Sequence, residues 1–198
     1  KKLDSFRPKI AYPDEWRDYS ELTFNENDNL IDIIIKVHSF EFNYEMSRLF
    51  KPTDKNRWEM DPHTINAYFH PLKNEIVFPA GILQKPFFDP EADDAINYGG
   101  IGTVIAHEMT HSYDDQGSKS DEKGNLNNWW TEDDKKQFNI NAKYYIDEFS
   151  SFKVNGKNVN GELTLGENLA DHGGVKIAYH ALKKHLEIEE NFMLTYGD

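Results

Sequence analysis

The residues best equipped for chemistry lie in Val104-Ile105-Ala106-His107-Glu108-Met109-Thr110-His111-Ser112-Tyr113-Asp114-Asp115. The apolar positions Ile101, Val104, Ile105 and Met109 predict a buried helix through this stretch. Side chains four apart share one helix face, so His107 and His111 can present two imidazoles to one metal ion. Glu108, directly after the first histidine, is then placed as general base on a water that the metal activates. Asp114 follows His111 by about one helical turn and can hydrogen-bond a ligand imidazole, as an orienting carboxylate usually does. Two core histidines on an amphipathic helix would be the plainer reading. The His-Glu-x-x-His spacing favours the metal.

Two histidines leave a catalytic zinc one protein ligand short, and a glutamate is a recurring third. The chain has no cysteine, which excludes thiolate sites and disulfides and leaves His and carboxylate as the donors. A second helix is expected from Thr164-Leu165-Gly166-Glu167-Asn168-Leu169-Ala170-Asp171-His172-Gly173-Gly174 to about Leu186. On it Glu167 and Asp171 share a face, which suits Glu167 as third ligand and Asp171 as partner to a ligand histidine. Taken alone, both would read as solvated charges. His172 points about 100° away from Asp171. His38, His63 and His70 are weak ligand candidates, and His180 and His185 read as solvent-facing.

Further elements must hold these groups. Asn29 to Phe50 reads as a long helix ended by Lys51-Pro52. The opening, punctuated by Pro8 and Pro13, is expected to be irregular, with a short strand near Ile10 to Tyr12. Thr64 to Phe69 and Glu75 to Phe78 form a hairpin whose exposed edge could receive an extended peptide. Phe87 and Phe88 are core or a pocket wall. The metal helix begins near Asp93 or Asp94, and Gly99, Gly100 and Gly102 weaken it unless something packs closely there. Gly117 fits a left-handed helix end, and Glu122 to Asn125 reads as a turn. Thr131 opens another helix, to about Phe149, and Asn155-Gly156 and Asn160-Gly161 signal turns.

The bulk properties narrow the classes. Hydrophobic residues are 38%, charged 29% and aromatic 14% of 198, which suits one folded domain and argues against disorder. A formal net charge of -13 disfavours nucleic acid and anionic membrane surfaces as partners. The longest apolar run, around Leu30 to Val37, is broken by Asp32 and Lys36 and is too short to span a bilayer. No signal peptide or membrane anchor is visible in the chain.

Several blocks together resemble the neprilysin and endothelin-converting enzyme family of zinc metallopeptidases, which includes bacterial oligopeptidases. They are Asn66-Ala67-Tyr68, Asn74 to Gln84 (NEIVFPAGILQ), Asn97 to Gly102 (NYGGIG), His107 to Asp115, and Gly166 to Asp171 (GENLAD). The resemblance implies an α+β, predominantly helical zincin (thermolysin-like) catalytic domain with a small β-sheet, spanning residues 1–198. One zinc per chain would be bound by His107, His111 and Glu167, with Glu108 as catalytic base. Asp114 and Asp171 would orient the ligand histidines, Asp171 counting with the catalytic groups. Asn66 and Ala67 would bind the substrate backbone, and Phe87, Phe88 and Val104 would line the pocket for the side chain after the scissile bond.

The implied activity is endopeptidase cleavage of short peptides on the amino side of bulky hydrophobic residues. The location implied is extracytoplasmic or at the cell surface. Thr103 and Ala106 depart from the family pattern and bear on pocket size. The family's downstream histidine and arginine and its helical amino-terminal domain are absent from this chain. It is therefore expected to be a piece of a longer protein, whose remainder would act as a further segment or second chain. Other His₂Glu peptidases, thermolysin-like or aminopeptidase-like, and a scaffold with a structural zinc are the competing readings. The long spacer between His111 and Glu167 disfavours the first group, and an intact Glu108 disfavours the scaffold.

Overall fold

A computed structural model describes residues 1–196, with side chains described as far as residue 188. The chain is α+β and predominantly helical. It divides into two compact units: residues 13–57, and residues 1–12 together with residues 58 onward. Strand β1 (Arg7–Ala11) belongs to the larger unit and helix α1 (Leu30–Ser47) to the smaller.

Asn29 starts α1 with a capping box. Its side chain accepts from the amides of Ile31 and Asp32, and Asp32 accepts from the Asn29 amide. The helix stops at Ser47, one turn ahead of the expected Lys51-Pro52. Within the same unit Arg17 pairs with Glu41 at 2.8 Å and lies 3.7 Å over the Tyr44 ring.

In the larger unit β2 (Tyr68–His70) and β3 (Glu75–Pro79) make the expected antiparallel hairpin, with Tyr68 opposite Val77. The first strand is shorter than expected, so Asn66 and Ala67 lie just ahead of it. Strand β1 pairs parallel to β3 with Arg7 opposite Glu75, giving the order β1-β3-β2. It begins earlier than the sequence suggested. Pro8 does not prevent this, because β1 is an edge strand and a missing amide is tolerated there. All five β3 residues are buried.

Helix α2 (Asp94–Asn97), capped by Asp93, runs through a π-helical turn (Tyr98–Gly102) into α3 (Thr103–His111). The three glycines sit in that wide turn. At Gly100 a Cβ would lie 2.5 Å from the Phe87 carbonyl, the close packing that a glycine there requires. Helix α4 (Glu132–Ser151) starts at Thr131, whose side chain accepts from the Asp134 amide. A ribbon of β4 (Lys153–Val154) and β5 (Lys157–Asn158) turns at Asn155-Gly156, both left-handed. Helix α5 (Leu165–Tyr196) outruns its expected end.

Ala67, Ile76, Phe78, Ile82 and Ile101 form the core between sheet and α3, joined by Phe69, Phe87, Phe88, Val104 and Met109. Ile105, counted above on the buried face, is more than a third exposed. Among the described residues no helix is long and apolar enough to cross a membrane.

Helix α5 crosses α3 at near backbone contact. A Cβ at Gly174 would meet the Thr103 carbonyl at 2.9 Å and the His107 amide at 3.1 Å, and one at Gly173 would meet Thr110 Oγ1 at 2.5 Å. Backbone atoms cannot rotate aside, so Gly174→Ala should cost about 1–3 kcal/mol of unfolding free energy. Gly99 faces open space. Urea unfolding of Gly174→Ala beside Gly99→Ala checks this, and equal midpoints would refute the close-approach argument.

Candidate metal centre

Helix α3 presents His107 and His111 with their Nε2 atoms 2.9 Å apart and rings nearly perpendicular. From α5, Glu167 Oε2 lies 3.4 Å from His107 Nε2 and 3.5 Å from His111 Nε2. The outer nitrogens are both occupied: His107 Nδ1 donates to Asp171 Oδ1 at 2.8 Å, and His111 Nδ1 donates to Asp114 Oδ2 at 2.7 Å. With the proton on Nδ1, a neutral imidazole turns a lone pair outward at Nε2. Two such lone pairs and a carboxylate oxygen then converge with no donor among them, which is repulsive unless a cation stands between.

A tetrahedral zinc with bonds of 2.0–2.2 Å spaces its ligand atoms about 3.3 Å apart. The three observed separations bracket that value, and two imidazoles with a carboxylate are a donor set zinc takes. The residues fit the ion. Among the described residues, this is the group of His and carboxylate donors able to hold a metal.

The surroundings are uneven. Asp114 is 6% exposed and Asp171 is 77% exposed. Burial pushes Asp114 up, but the His111 hydrogen bond and the amides of Gly117 and Gln116 outweigh it and hold its carboxyl below the usual range. Burial pulls His111 down, yet its bond to Asp114 and the charges of Glu108, Asp114 and Glu167 leave it above its ordinary value. Glu108 is 5% exposed. Burial lifts its pKa, opposed by the two histidines and by an amide from Phe69 of β2, while Glu167 lifts it further.

The other expected residues are placed less closely. Asn66 is exposed and its Oδ1 accepts from the Ala67 amide at 2.9 Å. Phe87, Phe88 and Val104 pack half-buried on the core cluster that contains Ala67. His172 bonds Tyr145 of α4 rather than the centre. His180 is exposed, whereas His185, expected in solvent, is half-buried and pairs with Asp94 at 3.0 Å. Gly117 corrects the helix-end reading. Its φ is not left-handed, α3 stops at His111, and glycine is needed because a Cβ would stand 1.9 Å from the His111 carbonyl. Lys2 was missed altogether: it reaches the loop after α3, and nothing in its local sequence marks it.

The model of peptidase family M13 matches residues 66–198. The chain belongs to peptidase family M13. It is 41% identical to an endothelin-converting enzyme homolog of Locusta migratoria, over 96% of this chain and 26% of that protein. It is 41% identical to neprilysin-3 of Drosophila melanogaster, over 92% of this chain and 24% of that protein. The inhibitor complex of the Mycobacterium tuberculosis zinc metalloprotease ZMP1 superposes with a TM-score of 0.90 at 44% identity, covering 94% of this chain and 29% of that one. The resemblance read from the motif blocks is thus correct, and so is the zincin-like architecture. The chain spans about a quarter of the length of the curated relatives it matches.

In the metal-free protein, His111 should titrate above the 6.5 of an unperturbed histidine. A raised folded pKa means that His111 contributes stability fully below pH 6.5, and that this is lost as pH rises through the folded value. Histidine NMR titration of metal-free wild type and Asp114→Asn checks this; the variant should titrate lower, and an unchanged curve would refute the assigned cause.

Proposed function

We propose that this chain carries the zinc-binding and catalytic core of an endopeptidase that cuts short peptides on the amino side of bulky hydrophobic residues. The observation that carries it is the convergence of two histidine lone pairs and one carboxylate beside a buried glutamate of raised pKa. His107, His111 and Glu167 would hold one zinc ion. When bound, zinc polarises a carbonyl as a Lewis acid and lowers the pKa of water toward about 7.

Glu108 is the general base: it takes a proton from the attacking water and delivers it to the leaving amine nitrogen. Burial suits both halves of that task, since a carboxyl whose pKa is raised holds a proton long enough to pass it on. Asp114 and Asp171 accept the Nδ1–H of each histidine and fix its tautomer. Asn66 keeps its amide NH₂ for a substrate carbonyl, because Oδ1 is engaged by Ala67. The outer edge of strand β2, the side away from β3, would receive an extended peptide. Phe87, Phe88 and Val104 form the apolar wall for the side chain after the scissile bond.

The whole of residues 1–198 belongs, in this proposal, to a catalytic domain completed by further chain, with peptides as substrates and a location outside the cytoplasm. Support for these points is the family membership and the fraction of each relative that the chain covers.

Glu108→Gln should retain zinc while turnover falls by about 10²–10⁴. Glu167→Ala should lose zinc on dialysis, read by metal analysis. Asp114→Ala should weaken zinc more than Asp171→Ala, within the roughly 10–100-fold range of such partners, because water already solvates Asp171. The function itself is tested with a peptide mixture, with and without chelator, reading cut sites by mass spectrometry on the full-length protein. Chelator-sensitive cuts before Phe, Leu or Ile are expected; full turnover by Glu108→Gln would overturn the mechanism.

A further inference from the structure

Lys2 is 6% exposed, rare for a lysine. Its ammonium spends all three protons on backbone carbonyls, at 2.8 Å to Ser112, 2.7 Å to Gly117 and 2.7 Å to Ser120. The rings of Phe69, Tyr113 and Trp129 stand between 5.6 and 5.8 Å from the ammonium nitrogen. Its own carbonyl accepts from the side chain of buried Asn74, in the turn just ahead of β3, so both ends of the residue are fixed.

What Lys2 grips is the mount of the metal centre. Helix α3 ends at His111, and the last carbonyls of a helix have no partner within it. Ser112 is the cap residue, and a cation at that end is favoured both by the open carbonyl and by the helix dipole. The gripped segment encloses Asp114, whose Oδ1 accepts from the amides of Gln116 at 2.8 Å and Gly117 at 2.7 Å. Its other oxygen holds His111. His111 thus rests on Asp114, Asp114 on the loop, and the loop on Lys2. Burial draws the Lys2 pKa down to about 8, opposed by Asp114 and Asp121, so the amine is protonated at neutral pH.

We propose that Lys2 is a positioning residue of the metal centre, which gathers the carbonyls of Ser112, Gly117 and Ser120 and thereby holds Asp114 against His111. It touches neither substrate nor reacting atoms. The inference rests on the zinc reading above.

The test uses the full-length protein, with zinc affinity measured by chelator competition and ligand geometry by the visible spectrum of the cobalt-substituted form. Lys2→Met should weaken zinc about 10–100-fold, the range for residues that orient a ligand, and alter the cobalt spectrum. Ala142→Gly, a buried site on α4, serves as a destabilised control and should change neither. If the Met variant does not fold, Lys2→Gln carries the test, since an amide with two protons cannot satisfy three carbonyls. Wild-type zinc affinity and cobalt spectrum in a folded Lys2 variant would overturn this inference alone. A wild-type protein that binds no zinc would overturn the zinc reading and this inference with it.

Discussion

The centre depends on how closely two helices approach. One helix can place His107 and His111 on a common face, but a third donor has to come from elsewhere in the chain. Side chains of ordinary size would hold α5 some 8–10 Å from α3, axis to axis. Glycine at 173 and 174 lets the second helix settle onto the Thr103 carbonyl and the His107 amide. A short carboxylate such as Asp171 then reaches His107, and Glu167, one turn earlier, reaches both histidines. Gly166 does similar work at the start of α5, lying against the Asp114 carboxylate.

The two imidazoles are braced unequally. Asp114 is buried, carries two backbone hydrogen bonds besides its histidine, and belongs to the turn just after α3. Asp171 comes from the opposite helix and faces water. His111 therefore has a mount built into its own helix end, whereas the mount of His107 follows the packing of α5. Glu108, between the two histidines in sequence, is buried on the same helix. The metal helix, the turn after it and α5 each contribute one constraint to a site only a few ångströms wide.

Features written in short-range chemistry were legible beforehand. The His-Glu-x-x-His helix, the Thr131 cap and the Asn155-Gly156 turn each follow from residues within a few positions of one another. Glu167 and Asp171 were legible as a pair by their spacing; their assignment to the centre came from the family resemblance, and the distances agree with it. Long-range causes were not visible. Strand β1 owes its extent to pairing with β3, far along the chain. At Gly117 a close approach and a left-handed turn ask for the same residue, so the sequence could not separate them. Lys2 is one lysine among many until the three carbonyls around it are seen.

The π-helical turn between α2 and α3 has a consequence for chain length. Such a turn holds one residue more than an α-helix would need, and each residue advances the helix by about 100°. Upstream of it Asp94 meets His185 of α5, and downstream His107 meets Asp171 of the same helix. Both contacts are satisfied together only in the phase that the extra residue sets. Losing one of Tyr98–Gly102 would restore regular winding and turn one contact away from α5. The segment is thus intolerant of deletion although its own side chains do no chemistry, and a shorter variant would have to choose between its upstream anchor and its histidines.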